Sequence, residues 1–319
     1  MCGAPGGDIY FDTLKSVTAF FFPCLLLIPK FERASLTSGN MVIRKRLWDT
    51  TTFDLATLAT KHILHLPYQL IDIFLRSCNL EIEVNGHLHH ADAFDEMQML
   101  RTLLYLRGVS AFMIPFVTTH SINDYSGINS RDSDLLAKEL PEALKHGLTS
   151  AEGKLEAWYC DRTWTLIHHV SSLEIGEDCF TAVISQLDTW KAIEKEYPIV
   201  NIVRRLFNFA PMIPDDEASI LQMWQGIESL FPSIQSEVTF RLALLISQLC
   251  CSVQARRTTY KEAKVLYKTR SQISHGAGSK VDAGDWTAAW ALMRLCLRAV
   301  LVRGKLPTEE DLMSELMPE

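Results

Sequence analysis

The second half of the chain carries apolar residues at helical spacing, and this pattern limits the folds open to it most strongly. Between Asp178 and Tyr197, apolar side chains recur at three- and four-residue steps: Phe180, Val183, Ile184, Leu187, Trp190 and Ile193. Such spacing places them on one face of a helix. Similar patterns follow Pro198 and the acidic pair Asp215–Asp216, and they continue to Arg303. The sequence therefore predicts a helical bundle over residues 178–305, a helical connector over 136–177 and a C-terminal tail over 306–319.

The first 135 residues show strand and turn patterns instead. Leu80–Val84 alternates apolar and charged residues before Asn85-Gly86, which is typical of a strand followed by a turn. Residues 111–119 form a second strand-like run, and the apolar stretch 19–28 suits one or two core strands or a buried turn. Residues 123–133 are polar and turn-rich, as in a surface loop or a joint between domains. We expect a smaller mixed α+β region over 1–135, of unknown role, and hence an α+β protein overall.

Cysteine usage and hydropathy bear on where the chain resides. Its eight cysteines form no CxxC pair and several lie in apolar runs, which favours buried free thiols in a reducing compartment. The apolar stretch at 19–28 is interrupted by Pro23, is too short to span a bilayer, and lacks the basic flank of a signal peptide. We expect a cytoplasmic protein with no membrane partner.

Charge is distributed unevenly along the chain. The formal net charge is −7, yet twelve basic residues face three acidic ones between Arg241 and Lys305. A basic segment on an acidic protein is where an RNA-binding surface is expected, and the candidate residues are Arg256, Arg257, Lys264 and Lys268. Solvated helix faces explain the same pattern equally well.

Two polar groupings invite other interpretations. His87, His89 and Asp92 could place ligands for a metal ion near one strand end, but no distant ligand completes the set and an exposed polar turn is favoured. We expect no metal and no cofactor. Glu228 lies on a largely apolar helix, and we predict that it forms a structural pair with Arg241.

The stretch from Leu266 to Gly276 combines an arginine with a histidine, Arg270 and His275. Histidine titrates near neutral pH and can transfer protons, whereas arginine holds phosphate oxygens through a planar fork. Thr259-x-x-Glu262 has the form of a capping box, so we predict that this helix begins there and ends at Gly276. The alternative is a plain helix end carrying a surface arginine.

Three segments together resemble the Apea-like branch of the HEPN superfamily over about 178–303. They are Trp224-x-x-Ile227-Glu228-x-Leu230-Phe231, Phe240-Arg241-Leu242-Ala243 and Leu266-Tyr267-x-x-Arg270-Ser271-x-x-x-His275-Gly276. The stretch 124–129 also resembles the region upstream of the bundle in such proteins. The resemblance implies a metal-independent endoribonuclease of prokaryotic anti-phage defence or toxin systems, in which two protomers face each other. A homodimer through the bundle and an antitoxin or other defence partner would accompany that role.

Carried over to this chain, the resemblance implies that Arg270 and His275 are the catalytic pair. Tyr267, Ser271 and Gly276 are candidate supporting residues, and Ser271 stands where many active relatives carry Asn, Asp or His. RNA supplies its own nucleophile, the 2′-hydroxyl, so His275 would transfer protons while Arg270 stabilises the phosphate. Five helical steps separate the two side chains by about 140°, which favours a second protomer completing the site. The alternatives are a catalytically inactive HEPN module that binds nucleic acid, nucleotide or a protein partner, and a purely structural helical dimer.

Overall fold

The structure is a computed structural model, and it describes residues 19–47, 49–62, 68–153, 155–156, 172–234, 236–250, 252–276 and 281–316. Its strands are β1 Ala19–Leu25, β2 Ile28–Lys30, β3 Ser35–Ser38, β4 Met41–Lys45, β5 Cys78–Asn85, β6 Val117–Thr118, β7 Leu155–Glu156 and β8 Glu174–Gly176. The described strands form a six-stranded sheet in the order β3-β4-β5-β1-β6-β7, and β2 pairs in parallel with β8.

The helices follow mainly in the second half of the chain. They are α1 Thr52–His62, α2 Tyr68–Ser77, α3 His90–Leu106, α4 Ile128–Arg131, α5 Glu142–Lys145, α6 Glu177–Ile184, α7 Leu187–Glu196, α8 Pro198–Phe209, α9 Asp216–Ser229, α10 Val238–Cys250, α11 Val253–Ser274, α12 Ala283–Arg303 and α13 Glu309–Leu316. The protein is thus a mixed α+β fold with a small N-terminal sheet and a mostly helical C-terminal region, which confirms the predicted class.

The centre of the sheet is the antiparallel pair β1–β5, where Phe20 lies opposite Val84 and Phe22 opposite Ile82. These four side chains are buried, so the predicted strands at 80–84 and within 19–28 are confirmed. The run at 111–119 is only partly a strand. Besides β6, it contributes an isolated bridge between Met113 and Leu25.

Helix α3 is buried around most of its circumference. Its buried positions include Met97, Leu100, Leu103, Leu104 and Leu106 on several faces. Tyr105 continues this contact through an aromatic cluster, because its ring lies 5.9 Å from that of Phe207 and 5.6 Å from that of Trp290. Trp290 in turn stacks on Phe207 at 4.2 Å and on Trp286 at 5.5 Å. As a result, the N-terminal sheet and the helical region share one continuous hydrophobic core.

Polar side chains cross the same boundary. Buried Arg204 on α8 donates from Nε to Glu194 on α7 at 2.6 Å and from Nη2 to Asp95 on α3 at 2.6 Å. One turn further along α8, the Asn208 side chain donates to the Gln98 carbonyl at 2.8 Å. Arg204 and Glu194 are both buried, so neither can exchange its partner for water. Together with the bond to Asp95, this pair fixes how α3, α7 and α8 pack against one another.

Several predictions of local structure are wrong in detail. Residues 178–197 form two helices rather than one, since the chain turns at 185–186 between α6 and α7. The described part of 136–177 is not mainly helical: it holds a 3₁₀ turn at Leu136–Lys138, the short α5, and strands β7 and β8, while residues 157–171 lie outside the described chain. Thr259 does not begin α11, which starts at Val253 after Ser252, and its side chain is buried mid-helix.

The C-terminal segment is not a simple tail. Helix α13 lies against α10 and buries Leu312. Its acidic residues bind basic ones of the bundle: Glu309 contacts Arg241, and Glu315 accepts from Arg303 at 2.7 Å. The final helix therefore belongs to the helical region. Of the described helices, none combines the length and the apolar character that a membrane crossing requires.

Replacing Arg204 with alanine should lower the free energy of unfolding by about 3 to 5 kcal/mol, because Glu194 would keep a buried charge without its partner. Urea unfolding followed by far-UV circular dichroism measures this difference. Arg205→Ala is the matched control, since Arg205 is exposed on the same helix. Equal losses in the two variants would contradict the structural role of the ion pair.

A second buried acid connects strand β5 to the turn after β6. Glu81 is fully buried, accepts a hydrogen bond from the Ile122 N–H at 2.8 Å and contacts the Ser121 hydroxyl. Burial raises the pKa of Glu81 from 4.5 to about 7, although these hydrogen bonds and nearby Arg44 act in the opposite direction. The folded protein therefore retains a proton on Glu81 at pH values where the unfolded chain has lost it.

Because the pKa of Glu81 is higher in the folded state, the free energy of unfolding should fall as the pH rises from about 4.5 to 7. The pKa difference corresponds to a loss of about 3 kcal/mol. Glu81→Gln keeps the group neutral and should remove most of this slope, which urea unfolding at pH 5 and pH 8 would reveal. Glu139→Gln, at an exposed position, should leave the slope unchanged. An unaltered slope in Glu81→Gln would refute the assignment.

Candidate functional site at the end of helix α11

The two residues of the predicted catalytic pair differ in how the structure holds them. Arg270 lies in the last turn of α11, on the side that faces α9, and its side chain is 26% exposed. His275 follows the last helical residue, Ser274, and is exposed. No hydrogen bond joins the two side chains among the described residues. They nevertheless lie at the same end of one helix.

Arg270 is ion-paired within its own chain. Its Nε lies 3.1 Å from Oε1 of Glu228 on α9, and its Nη2 donates to Oε2 at 3.2 Å. The guanidinium also lies over the Tyr267 ring, 5.6 Å from the ring centre, and Tyr267 packs edge-on against Trp224 at 5.3 Å. A carboxylate on one side and an aromatic face on the other hold the arginine in a fixed orientation.

The predicted pair between Glu228 and Arg241 is therefore wrong. Glu228 pairs with Arg270, whereas Arg241 pairs with Glu309 on α13. Arg241 and a hydrogen bond from Ser233 lower the pKa of the Glu309 carboxyl. The prediction failed because it assigned Arg270 to catalysis rather than to an ion pair and treated the last residues as a tail, so it considered neither Arg270 for Glu228 nor Glu309 for Arg241.

The second edge of the Arg270 guanidinium remains open to further hydrogen-bond acceptors. Its Nη1 lies 3.3 Å from Oγ of Ser274, an exposed residue. The Nε–Nη2 edge is thus bound to Glu228, while the Nη1 end is directed toward the C-terminus of α11. A guanidinium has five N–H donors in a planar fork, so an anion near Ser274 could be bound without displacing Glu228.

Helix α11 ends in a way that frees the histidine. His275 has φ −97° and ψ 5°, and Gly276 has φ +64°, a left-handed conformation that favours glycine. The Gly276 N–H donates to the Ile273 carbonyl at 3.1 Å, and the His275 N–H donates to that of Ser271 at 3.1 Å. The backbone is satisfied while the imidazole lies in solvent. Gly276 and the backbone of Ser271 therefore support the site by terminating the helix, and the Ser271 side chain is half-buried.

The outer side of α11 carries a line of cations, here called the basic face: Arg257, Lys261, Lys264 and Lys268. Steps of four, three and four residues keep these exposed side chains on one side of the helix. None of the four forms an ion pair within the part of the chain that the structure describes. Lys261 was missed in the sequence, although its spacing from Arg257 indicates it. Arg256 does not belong to this row. The hydrogen bond from Arg303 lowers the pKa of Glu315, and the charge of Arg256 adds to that effect.

The histidine cluster at 87–92 serves a structural purpose. His87 contacts Glu96 on α3, and Glu96 also accepts from Lys191 on α7 at 2.7 Å and from Asn40 at 3.1 Å. His90 instead packs edge-on against the Phe20 ring at 6.5 Å. Among the described residues, no group of three or more His, Cys, Asp or Glu side chains is arranged to hold a metal ion.

In a comparison with known proteins, the chain matches no family model, no curated protein and no solved structure.

The packing around Arg270 makes a prediction for Tyr267. Burial raises the pKa of Tyr267 above its ordinary value of 10.0, the negative charge of Glu228 raises it further, and Arg270 lowers it. Glu228→Gln should therefore lower the Tyr267 pKa, because one of the charges that disfavours the phenolate is removed. Ultraviolet titration, with Tyr267→Phe subtracted to isolate this residue, measures the shift. A pKa that stays the same or rises in Glu228→Gln would contradict the arrangement.

Proposed function

We propose that the end of α11 is an RNA-cleaving site, and that the protein is a metal-independent endoribonuclease of HEPN type. The observation that carries the proposal is an exposed histidine, His275, five residues after a partly exposed arginine, Arg270. The Arg270 guanidinium is anchored along one edge by Glu228 and directed along the other toward the helix end. This supplies a group that can move a proton and a fixed cation that can hold a phosphate. The resemblance to Apea-like HEPN proteins supports the same reaction.

In the proposed reaction, the His275 imidazole transfers protons while the 2′-hydroxyl of the RNA attacks the adjacent phosphorus. The Arg270 guanidinium stabilises the charge that develops on the phosphate oxygens. Glu228 acts as a positioning residue. Its carboxylate prevents the guanidinium from rotating freely, so the guanidinium loses no further conformational freedom when the RNA reacts. The products would be a 2′,3′-cyclic phosphate and a 5′-hydroxyl.

The basic face would bring the RNA to this site. From Arg257 to Lys268, eleven helical steps span about 16 Å, and His275 lies further along the same side. Cations without carboxylate partners attract a phosphate backbone regardless of its sequence and lose affinity as salt increases. We infer that the RNA backbone runs along α11 toward its C-terminal end.

A homodimer would bring two such ends together. Beside the basic face, α11 and α12 form an apolar groove of about 540 Å³, with Val265, Ala288, Ala291 and Leu295 among its lining residues. Val265 is 65% exposed. Lys261 of the basic face also lines the groove, beside Glu262. Because two rows of cations would repel each other, we propose that the apolar part of the groove, rather than the row from Arg257 to Lys268, lies at the two-fold axis. An antitoxin or defence partner and a cytoplasmic location accompany this proposal as expectations from the resemblance.

The second candidate is a catalytically inactive module that binds RNA. The Arg270–Glu228 ion pair favours this alternative, because the carboxylate already neutralises the cation that cleavage requires. In that case the basic face would bind RNA while the site at the helix end stays silent.

Purified protein incubated with labelled RNA in excess EDTA distinguishes the two. We expect cleavage in the wild type and at least about a hundred-fold slower cleavage in His275→Ala, because general acid–base catalysis contributes at least this much. The matched control is His146→Ala. His146 lies outside α11, and its side chain is 84% accessible. Circular dichroism verifies that both variants are folded.

Binding is measured separately by filter retention over a range of salt concentrations. Arg257→Gln with Lys268→Gln should weaken RNA binding and reduce its salt dependence in either case. RNA binding without cleavage would identify the module as a binder. Cleavage that persists in His275→Ala, or that stops in EDTA, would refute the proposed mechanism.

A further inference from the structure

A second cavity lies away from α11, where the end of α3 meets α12 and the joint between α6 and α7. It measures about 260 Å³ and is lined by Leu106, Arg107, Gln186, Arg298, Leu301 and Val302. Polar surface therefore comes from two guanidinium groups and one amide, and apolar surface from three aliphatic side chains. No acidic residue is among those lining it.

The two arginines of this cavity lack the carboxylate partner that several other arginines of the described chain have. Arg44, Arg204, Arg241, Arg270 and Arg303 each contact a carboxylate. Arg107 and Arg298 are exposed and form no ion pair with any described residue. A third arginine, Arg294, lies one turn before Arg298 on α12 and reaches toward Gly108. Placing like charges together is unfavourable unless an anion lies between them.

The end of α3 lies beside the cavity. The end of a helix exposes carbonyl groups that repel negative charge. Two of these carbonyls already accept hydrogen bonds, because Leu104 accepts N–H groups from Arg107 at 3.1 Å and Val109 at 3.0 Å, and Tyr105 accepts that of Gly108 at 3.0 Å. Gly108 has φ +90°, so the chain reverses there and leaves the Arg107 side chain at the rim.

Gln186 supplies a neutral donor opposite the arginines. It is the second of the two residues between α6 and α7, and its side chain does not cap the helix that follows. The nearest acid along the chain, Asp188, is exposed and does not line the cavity. An amide beside two guanidinium groups is suited to a ligand with several acceptor oxygens and a charge near −2.

We propose that this cavity binds a small phosphorylated molecule, with its phosphoryl oxygens held by Arg107 and Arg298 and its remaining part lying against Leu106, Leu301 and Val302. Arginine forks match phosphate oxygens in geometry, and a phosphate monoester or diphosphate supplies the double charge that two unpaired arginines require. The aliphatic side chains provide a surface for the non-phosphate part of the ligand.

A ligand bound at this position would affect the stability of the whole fold. Arg107 follows α3, which packs on the sheet, whereas Arg298 lies on α12, which contacts α9, α10 and α11. A phosphoryl group bound between the two would join the N-terminal region to the helical region. Because it binds only when both are in place, it should raise the melting temperature. This inference concerns binding alone and does not depend on RNA cleavage.

The experiment uses the full chain and isothermal titration calorimetry with pyrophosphate, adenosine monophosphate and citrate, each at matched ionic strength. We expect the two phosphoryl probes to bind and citrate to bind more weakly. Arg107→Gln and Arg298→Gln should each weaken binding about ten-fold or more, since each removes a charge-assisted hydrogen bond. Arg205→Gln, which removes an exposed arginine elsewhere, should bind as the wild type does.

Melting temperatures measured without ligand verify that the variants are folded. We expect them to match the wild type, because both arginines are exposed and unpaired. The proposal is overturned by any of three results. These are pyrophosphate binding to the double variant Arg107→Gln/Arg298→Gln as well as to the wild type, citrate binding as tightly as pyrophosphate, or no probe binding to the wild type at millimolar concentration.

Discussion

The burial of α3 is the constraint on which the rest of the structure depends. This helix has apolar side chains on nearly every face, so it is stable only when the sheet covers one side and α8 and α12 cover the other. Two of its polar residues bind α8 in the same contacts: Asp95 accepts from Arg204, and the side-chain oxygen of Gln98 accepts from Asn208. The sheet, the helical region and the cavity at Arg107 all take their relative positions from this one helix.

At the proposed catalytic site, the corresponding interaction is the Arg270–Glu228 ion pair. It fixes the guanidinium against α9 and Tyr267, and leaves the end near Ser274 available. The same pair explains why a single arginine could serve either cleavage or plain binding. Because Glu228 stays bound, the guanidinium is oriented but its charge is partly neutralised. Whether the site cleaves RNA or only binds it depends on how well a phosphate can bind the guanidinium beside Glu228.

Much of the fold followed from periodic patterns. Alternation at 80–84 predicted β5, the three- and four-residue steps predicted α8 to α12, and Asp215 and Gly276 marked helix ends that the structure retains. The pattern failed where a helix lacks a polar face or where the chain breaks without a strong signal. Helix α3 was not identified, α6 and α7 were read as one helix, and Thr259 was mistaken for a cap although its hydroxyl lies inside the protein.

The sequence by itself determined the class of the fold, the helix that bears Arg270 and His275, and the basic character of its outer side. These properties are local, because they depend on spacing within one segment. Which acid meets which base was decided only by the tertiary structure. Glu228 pairs with Arg270 rather than with Arg241, and Arg107 lines the same cavity as Arg298, which lies 191 positions further along the chain. Such pairings arise from how buried helices pack against one another, and the distance along the chain carries no information about them.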